Sequence, residues 1–411
     1  MRMVGPATVR AAARSGVGPL ARSSDLRLRI LLVCDSLDIG GAERHIVGLA
    51  AALKRRGHDV TIACSREGAL GSDVGASGIG VRILSDRLVK RRVSVSYARL
   101  LTELVSRSRF DIVHAHMHAS AAAAAVACAR NGVPLVITEH SEASWRDDRA
   151  WRTSRSAYRR AAQVIAVSSS IGRRLTAIDR VPARRMTAIP NAIPRATGQA
   201  REPDPLERRF APGDLIIGTV ARLVPEKGVS SLLRAVPLVL REQPRTRFVV
   251  IGDGPLRDEL VALADALGIS ARVRFLGARI DGPQLITELD VLAVPSLSNE
   301  GTPLVTLEAL SAGVPVVASA VGGIPEQVRG FDRTALVPPG DVSSLSRALI
   351  DMTRTVRRRN VSTRSGREIG LLPGHEAMVR DTEAVYAKAY AEALGRTPRS
   401  AGALAPRWLA R

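Results

Sequence analysis

Residues 28–36, LRILLVCDS, are a short apolar run closed by polar residues. Runs of four to eight apolar residues between turn signals predict buried strands. The segment that follows, GGAERHIVGLAAALKRRGHDV (40–60), repeats its apolar positions at helical spacing up to Gly57, and VTIACS (60–65) is apolar again. DIVHAH (111–116), PLVITEH (134–140) and QVIAVS (163–168) continue the series, with helical stretches between them. Such strand–helix alternation predicts a mostly parallel, doubly wound sheet.

The rhythm breaks over residues 195–213, which are rich in Pro, Gly and charge and have no period. It restarts with LIIGTVA (215–221) and continues through RFVVIGD (247–253), RVRFLGA (272–278), DVLAVPS (290–296), VPVVAS (314–319) and TALVPPG (334–340). HEAMVRDTEAVYAKAYAEAL (375–394) is one amphipathic helix. The predicted organisation is a basic disordered arm (1–27), a first α/β domain (28–195), a linker (196–213), a second α/β domain (214–374), a terminal helix (375–395) and a disordered tail (396–411). Two doubly wound domains facing each other leave a cleft at the carboxyl ends of their strands, where ligands bind in open α/β sheets.

Composition refines this. Apolar residues make up 45% of the 411-residue chain, enough for two cores, but aromatics only 3%, so those cores consist of Ala, Val, Leu and Ile. No apolar stretch is long enough to span a bilayer. Three scattered cysteines, Cys34, Cys64 and Cys128, and an N-terminus without an apolar signal core predict reduced thiols and a cytoplasmic protein. The net charge of +21 has three readings: a generally Arg-rich surface, attachment to an anionic membrane face, or nucleic-acid binding. The basic runs lack the interleaved aromatics of a stacking platform, which argues against nucleic acid.

Of 60 basic residues only four are Lys: Lys54, Lys90, Lys227 and Lys388. Lys227 stands in VARLVPEKG (220–228), directly after a predicted strand and five residues past Arg222. A planar guanidinium and a compact ammonium side by side suit a diphosphate; a solvated turn is the plainer alternative. In PSLSNEGTPLVTLEAL (295–310), Thr302 before Pro303 predicts an N-cap and a helix over 303–312, whose N-terminus suits an anion. Glu300 precedes that helix and Glu308 lies within it; they either bracket a ligand or serve as a cap and an Arg partner. Gly40 and Gly41 allow close backbone approach but lack the third glycine of a dinucleotide fingerprint, as does Gly252–Gly254. His114, His116, His118 and His140 raise a metal site as an alternative, without accompanying acidic ligands.

Set together, GGAER (40–44), DIVHAH, TEH (138–140), VIAVSSSIGRRL (164–175), IPNAI (189–193), VARLVPEKG, VIGDGPLRDEL (250–260), VRFLG (273–277) and PSLSNEGTPLVTLEALSAGVPVVASAVGGIPE (295–326) resemble the retaining GT-B glycosyltransferases of the family 4, or group 1, type. The resemblance spans about residues 28–390 and is most specific in the last motif, with its two glutamates eight apart. It implies a GT-B fold and a UDP- or GDP-sugar as co-substrate, with no other cofactor and no metal. The implied acceptor is a hydroxyl on a sugar or on a lipid-linked or cell-envelope glycan, and the implied location is cytoplasmic, at or near a membrane face. Arg222 and Lys227 match the pair on the donor diphosphate, Glu308 the ribose ligand, Glu300 the contact to the donor sugar, and Gly301, Thr302, Leu304 and Val305 the phosphate cradle. Gly41, with Gly40 beside it, matches the glycine approaching the donor, and His116 the histidine on the donor sugar. The helix at Tyr386 matches one crossing back onto the first domain. Thr334-Ala335 departs from the family's usual Thr-Gly. A nucleotide-sugar epimerase, a histidine-metal hydrolase and a basic binding protein without catalysis are the alternatives.

Overall fold

A computed structural model describes residues 27–90, 93–194, 210–211, 213–358 and 370–395. The N-terminal arm, the C-terminal tail and nearly all of the linker expected from the sequence lie outside the described residues.

The first half runs β1 (Arg29–Ser36), α1 (Gly41–Arg55), β2 (Asp59–Arg66), α2 (Gly71–Ala76), β3 (Gly80–Ile83), α3 (Val95–Arg107), β4 (Ile112–His116), α4 (His118–Asn131), β5 (Leu135–Glu139), α5 (Asp148–Arg160), β6 (Gln163–Ala166), α6 (Ser169–Ala177) and β7 (Met186–Ala188). These seven strands form one sheet in the order β3-β2-β1-β4-β5-β6-β7, every pair parallel. Strand β1 is buried from Ile30 to Ser36 because helices cover both faces of a parallel sheet. Alternate residues feed two cores: Ile30, Leu32 and Cys34 on one face, Leu31 and Val33 on the other. The Ala run of α4 packs into the second core, which explains its small side chains: Ala121, Ala124 and Cys128 bring the helix close to the sheet.

The second half runs β8 (Leu215–Val220), α7 (Val229–Glu242), β9 (Thr246–Ile251), α8 (Arg257–Ala266), β10 (Val273–Gly277), α9 (Gly282–Ile286), β11 (Val291–Val294), α10 (Leu304–Ala312), β12 (Val316–Ser319), α11 (Ile324–Gln327), β13 (Thr334–Val337) and α12 (Val342–Arg358). Its sheet is also parallel, in the order β10-β9-β8-β11-β12-β13. Helix α13 (His375–Leu394) leaves this half and packs on α1, β4 and β5 of the first, burying Met378, Val379, Val385 and Tyr386 in its core. The architecture is GT-B: two Rossmann-like domains with their strand ends toward one cleft.

Strand order reverses between β1 and β4 in one sheet and between β8 and β11 in the other. At such a point the following loops diverge to opposite faces and leave a crevice. Gly40 and Gly41 follow β1 and His116 ends β4; Arg222 and Lys227 follow β8 and Glu300 follows β11.

Candidate active site

The second domain contributes the charged part of the site. After β8 the chain turns through Pro225–Lys227 and enters α7 at Gly228, whose φ of 62° is left-handed. A Cβ at Gly228 would lie 2.0 Å from the carbonyl oxygen of Pro295, so only glycine lets this turn lie against the end of β11. The carbonyl of Glu226 accepts from the Leu297 N–H at 2.8 Å, which ties the turn to the loop carrying Glu300. Lys227 Nζ then donates to Glu300 Oε1 at 2.6 Å, and Ser296 Oγ donates to the same oxygen at 2.6 Å. Glu300 is 4% exposed, and residue 299 before it has φ 68°. A non-glycine residue in that region marks backbone held by its surroundings.

Arg222 is exposed toward the cleft. Its charge acts on Glu43 and Lys90 of the first domain, placing it opposite the end of β1. Burial first, and then Arg222, lowers the Lys90 ammonium below the usual lysine range. The remaining two lysines brace carbonyls elsewhere: Lys54 that of Gly78, and Lys388 that of Arg184 at 2.6 Å. Lys227 instead pairs with the Glu300 side chain, and Lys90 lies within reach of the charges of Arg222, Glu43 and Asp35.

Helix α10 begins at Leu304, one residue later than the sequence predicts, and its N-cap is Pro303. Thr302 is therefore not the cap. Its hydroxyl donates to the Val167 carbonyl of the first domain, while its own carbonyl accepts from Asn191 Nδ2 at 3.0 Å. A local helix signal has been overridden by acceptors and donors more than a hundred residues away. The N-cap residue has no side chain to close the first turn, so α10 presents its Leu304 and Val305 end uncapped by a hydroxyl. Gly301 sits against the first domain: a Cβ there would meet the His140 carbonyl oxygen at 2.2 Å.

Glu308, 6% exposed, pairs with Arg44 Nη2 at 2.5 Å through Oε1. Its Oε2 is buried with no partner among the described residues. It is both an arginine partner and an open acceptor. Glu300, by contrast, does not cap α10; it serves Lys227 and Ser296 instead.

In the first domain, the N-terminus of α1 is not bare. A Cβ at Gly40 would fall 2.2 Å from Glu43 Oε2, so the missing side chain leaves room for the Glu43 carboxylate; Gly41 has open space around it. Burial raises Glu43 above the usual carboxylate range, and its own backbone N–H and Lys90 oppose that rise. Asp35, at the end of β1, accepts from the Ser120 N–H and hydroxyl at 3.1 and 2.7 Å. Burial nevertheless raises it to about 7.

His116 closes β4, and residue 117 after it has φ 68°. The four-histidine metal grouping raised by the sequence does not assemble. His114 lies between Tyr386 Oη and Thr138 Oγ1, both at 2.7 Å, and His118 pairs with Ser154 Oγ at 2.9 Å. His116 Nδ1 instead meets His140 Nε2 at 2.9 Å, and His45 of α1 packs on both rings. Burial keeps all of these imidazoles neutral, holding His114 at about 3 and His140 at about 4. His45 and Arg44 were missed because nothing local distinguishes them from a surface helix; only their place in GGAERH, next to the glycine pair, offered a signal.

The family model described as Glycosyltransferase Family 4 fits residues 39–196, and that described as Glycosyl transferases group 1 fits residues 201–368. The D-inositol 3-phosphate glycosyltransferase of Actinosynnema mirum is 33% identical over 334 residues, covering 71% of this chain and 78% of that protein. The chain belongs to the group 1 glycosyltransferases. Glycogen synthase of Mycobacterium tuberculosis is similar to this glycosyltransferase at 28% identity over 375 residues, 81% of this chain and 88% of the relative. The GT-B fold is shared with sucrose-phosphate synthase of Thermosynechococcus elongatus (TM-score 0.72, 19% identity, 89% of this chain and 100% of that one). It is shared also with Anabaena HepE in complex with UDP and glucose (TM-score 0.67, 22% identity, 90% and 100%). Neither the epimerase nor the metal hydrolase alternative finds support among these relatives. No helix among the described residues is long and apolar enough to cross a membrane.

Proposed function

We propose that this glycosyltransferase moves a sugar from a nucleoside diphosphate to an acceptor hydroxyl with retention of anomeric configuration. The observation that carries the reading is the convergence of Arg222, Lys227, Glu300 and the α10 N-terminus at one topological switch point, opposite His116 at the other. The donor diphosphate lies between Arg222, Lys227 and the Leu304–Val305 end of α10. Glu308 takes a ribose hydroxyl on Oε2, which is buried and otherwise unpaired. Glu300 and His116 orient the donor sugar, the latter through its unpartnered Nε2.

In the reaction the bond between the anomeric carbon and the phosphate oxygen breaks, and the acceptor oxygen bonds to that carbon on the same face. The acceptor proton passes to the departing phosphate oxygen. Charge on that oxygen grows during the step, and preorganised cations and a helix N-terminus stabilise it more than they stabilise the bound donor. The protein supplies position and electrostatics rather than a base of its own.

The proposed donor is a UDP- or GDP-sugar. HepE is in complex with UDP and glucose; one relative is named for GDP-mannose and a monoacylated phosphatidylinositol monomannoside, and another for D-inositol 3-phosphate. The proposed acceptor is correspondingly a sugar or a lipid-linked glycan. Exposed Leu88, Val95 and Leu100, beside Arg87 and Arg99, support docking of the first domain on an anionic membrane; absence of binding to anionic vesicles at low salt removes that part.

A panel of nucleotide sugars and acceptors, read by NMR, tests the reading. It predicts a glycoside with the donor's anomeric configuration. An inverted product overturns retention, and an epimerised donor formed without acceptor overturns the transferase assignment for this site.

A further inference from the structure

His45, His116 and His140 reach one point from three elements: the first turns of α1, the last residue of β4 and the residue after β5. Each offers a ring nitrogen, and the three nitrogens lie within 4.8 Å of one another. The ring centroids are 5.0, 5.2 and 5.8 Å apart. Every ring also carries a buried nitrogen with no hydrogen-bond partner: His45 Nδ1, His116 Nε2 and His140 Nδ1. His116 Nδ1 and His140 Nε2 already share one proton at 2.9 Å, so an ion bound among the three rings takes the place of that hydrogen bond.

We propose that His45, His116 and His140 form a binding site for a borderline divalent transition-metal ion, Zn2+ foremost, and that an ion there excludes the donor sugar. Three imidazoles with one open position are the ligand set of zinc, whereas Mg2+ and Ca2+ require oxygen ligands that this trio lacks. An imidazole binds a metal in its neutral form, and His45 and His116 are buried from water. The loop bearing Glu300 and Gly301 rests on the His140 carbonyl, so the ion sits beneath the sugar-contacting loop and holds the same His116 that serves the donor. The site is therefore a brake on transfer and no part of the reaction.

The test uses the full chain stripped with EDTA and then dialysed against Zn2+ alone, with bound metal counted. Co2+ replaces Zn2+ for an optical readout. One ion per chain is expected, with Co2+ d–d bands that UDP-sugar reverses. His45→Gln and His140→Gln each weaken binding by at least about tenfold. Zinc should raise the donor KM and leave kcat unchanged, and His45→Gln should lose that sensitivity while retaining transfer in EDTA. Failure of wild-type protein to retain an ion, absence of d–d bands, or binding undiminished in both variants overturns the site; the last outcome means surface binding. If a variant does not fold, the wild-type spectrum and its reversal by donor decide the matter. Binding is read without donor and transfer in EDTA, so failure here leaves the transferase reading standing.

Discussion

Lys227 Nζ lies 2.6 Å from Glu300 Oε1, joining the turn after β8 to the loop after β11. The pair spans the switch point of the second sheet. In the absence of donor it stores a cation against a carboxylate that has Ser296 as a second partner, so Lys227 can turn to a phosphate without leaving Glu300 buried and unpaired. A loop carrying Glu300 with only one partner would lose its shape when the cation left. Glu300→Gln keeps the size and the Ser296 contact but not the charge. It is expected to lower kcat by about two orders of magnitude with a small change in donor KM, measured by steady-state kinetics. Equal effects on kcat and KM from a melted loop would show as a lowered thermal midpoint instead.

Glu308 carries Arg44 on one oxygen and leaves the other open. Arg44 belongs to the first domain, so the carboxylate is aimed by a residue across the cleft. Glu308→Gln should weaken UDP or GDP binding by about ten- to a hundredfold, as expected for a hydrogen bond to a charged acceptor. Arg44→Met should weaken it less, and the double variant should show non-additivity by calorimetry. Additive effects would mean that Arg44 does not orient Glu308.

Asp35 is held at about 7 by burial, well above its unfolded value, so its ionised form costs stability above pH 7. The cost shrinks as pH falls from 7 toward 3.8 and vanishes below that. Asp35→Asn retains an oxygen for Ser120. It should raise stability at pH 8 by on the order of 2 kcal/mol, less at pH 5, and not at all near pH 3.5. A gain independent of pH in thermal melts would refute the assignment.

Acid should destabilise the first domain in two stages. His114, His118 and His140 have folded pKa values of about 3, 4 and 4, below the unfolded 6.5. Their contribution is present above pH 6.5 and is lost as pH falls toward 4. Glu139 follows. Burial would raise it, but Arg146, Arg174 and the Tyr158 hydroxyl pull it to about 2, so its contribution is lost between pH 4.5 and 2. Asp35, Glu43 and Asp179 are raised by burial and move the other way over part of this range, three carboxyls against five lowered histidines. Denaturation midpoints in urea should therefore fall steadily from pH 6.5 downward, and a Glu139→Gln variant should lose the lower stage.

Most strands could be read because a parallel sheet buried on both faces writes continuous apolar runs: LRILLVCDS against Arg29–Ser36, and LIIGTVA against Leu215–Val220. The strands that escaped are β3, largely exposed at a sheet edge, and β7, only three residues long. Lys227 and Glu300 were legible because they follow strands in a sequence that otherwise avoids lysine. Thr302 misled because its partners, Val167 and Asn191, belong to another domain. His45, which the sequence did not single out, stands beside His116 and His140 while His114 does not, for a related reason. Strand alternation places His114 and His116 on one face, but which histidine finds a hydroxyl and which finds another imidazole depends on α1 and α13.

The central claim is that Lys227 neutralises the phosphate as it departs. The most direct measurement is single-turnover glycosyl transfer from saturating donor by Lys227→Ala, with Lys227→Arg beside it. The account predicts a rate lowered by about a hundredfold or more in Lys227→Ala, with partial recovery in Lys227→Arg and donor affinity changed far less than the rate. A rate within about threefold of the parent enzyme, with unchanged folding, would contradict it.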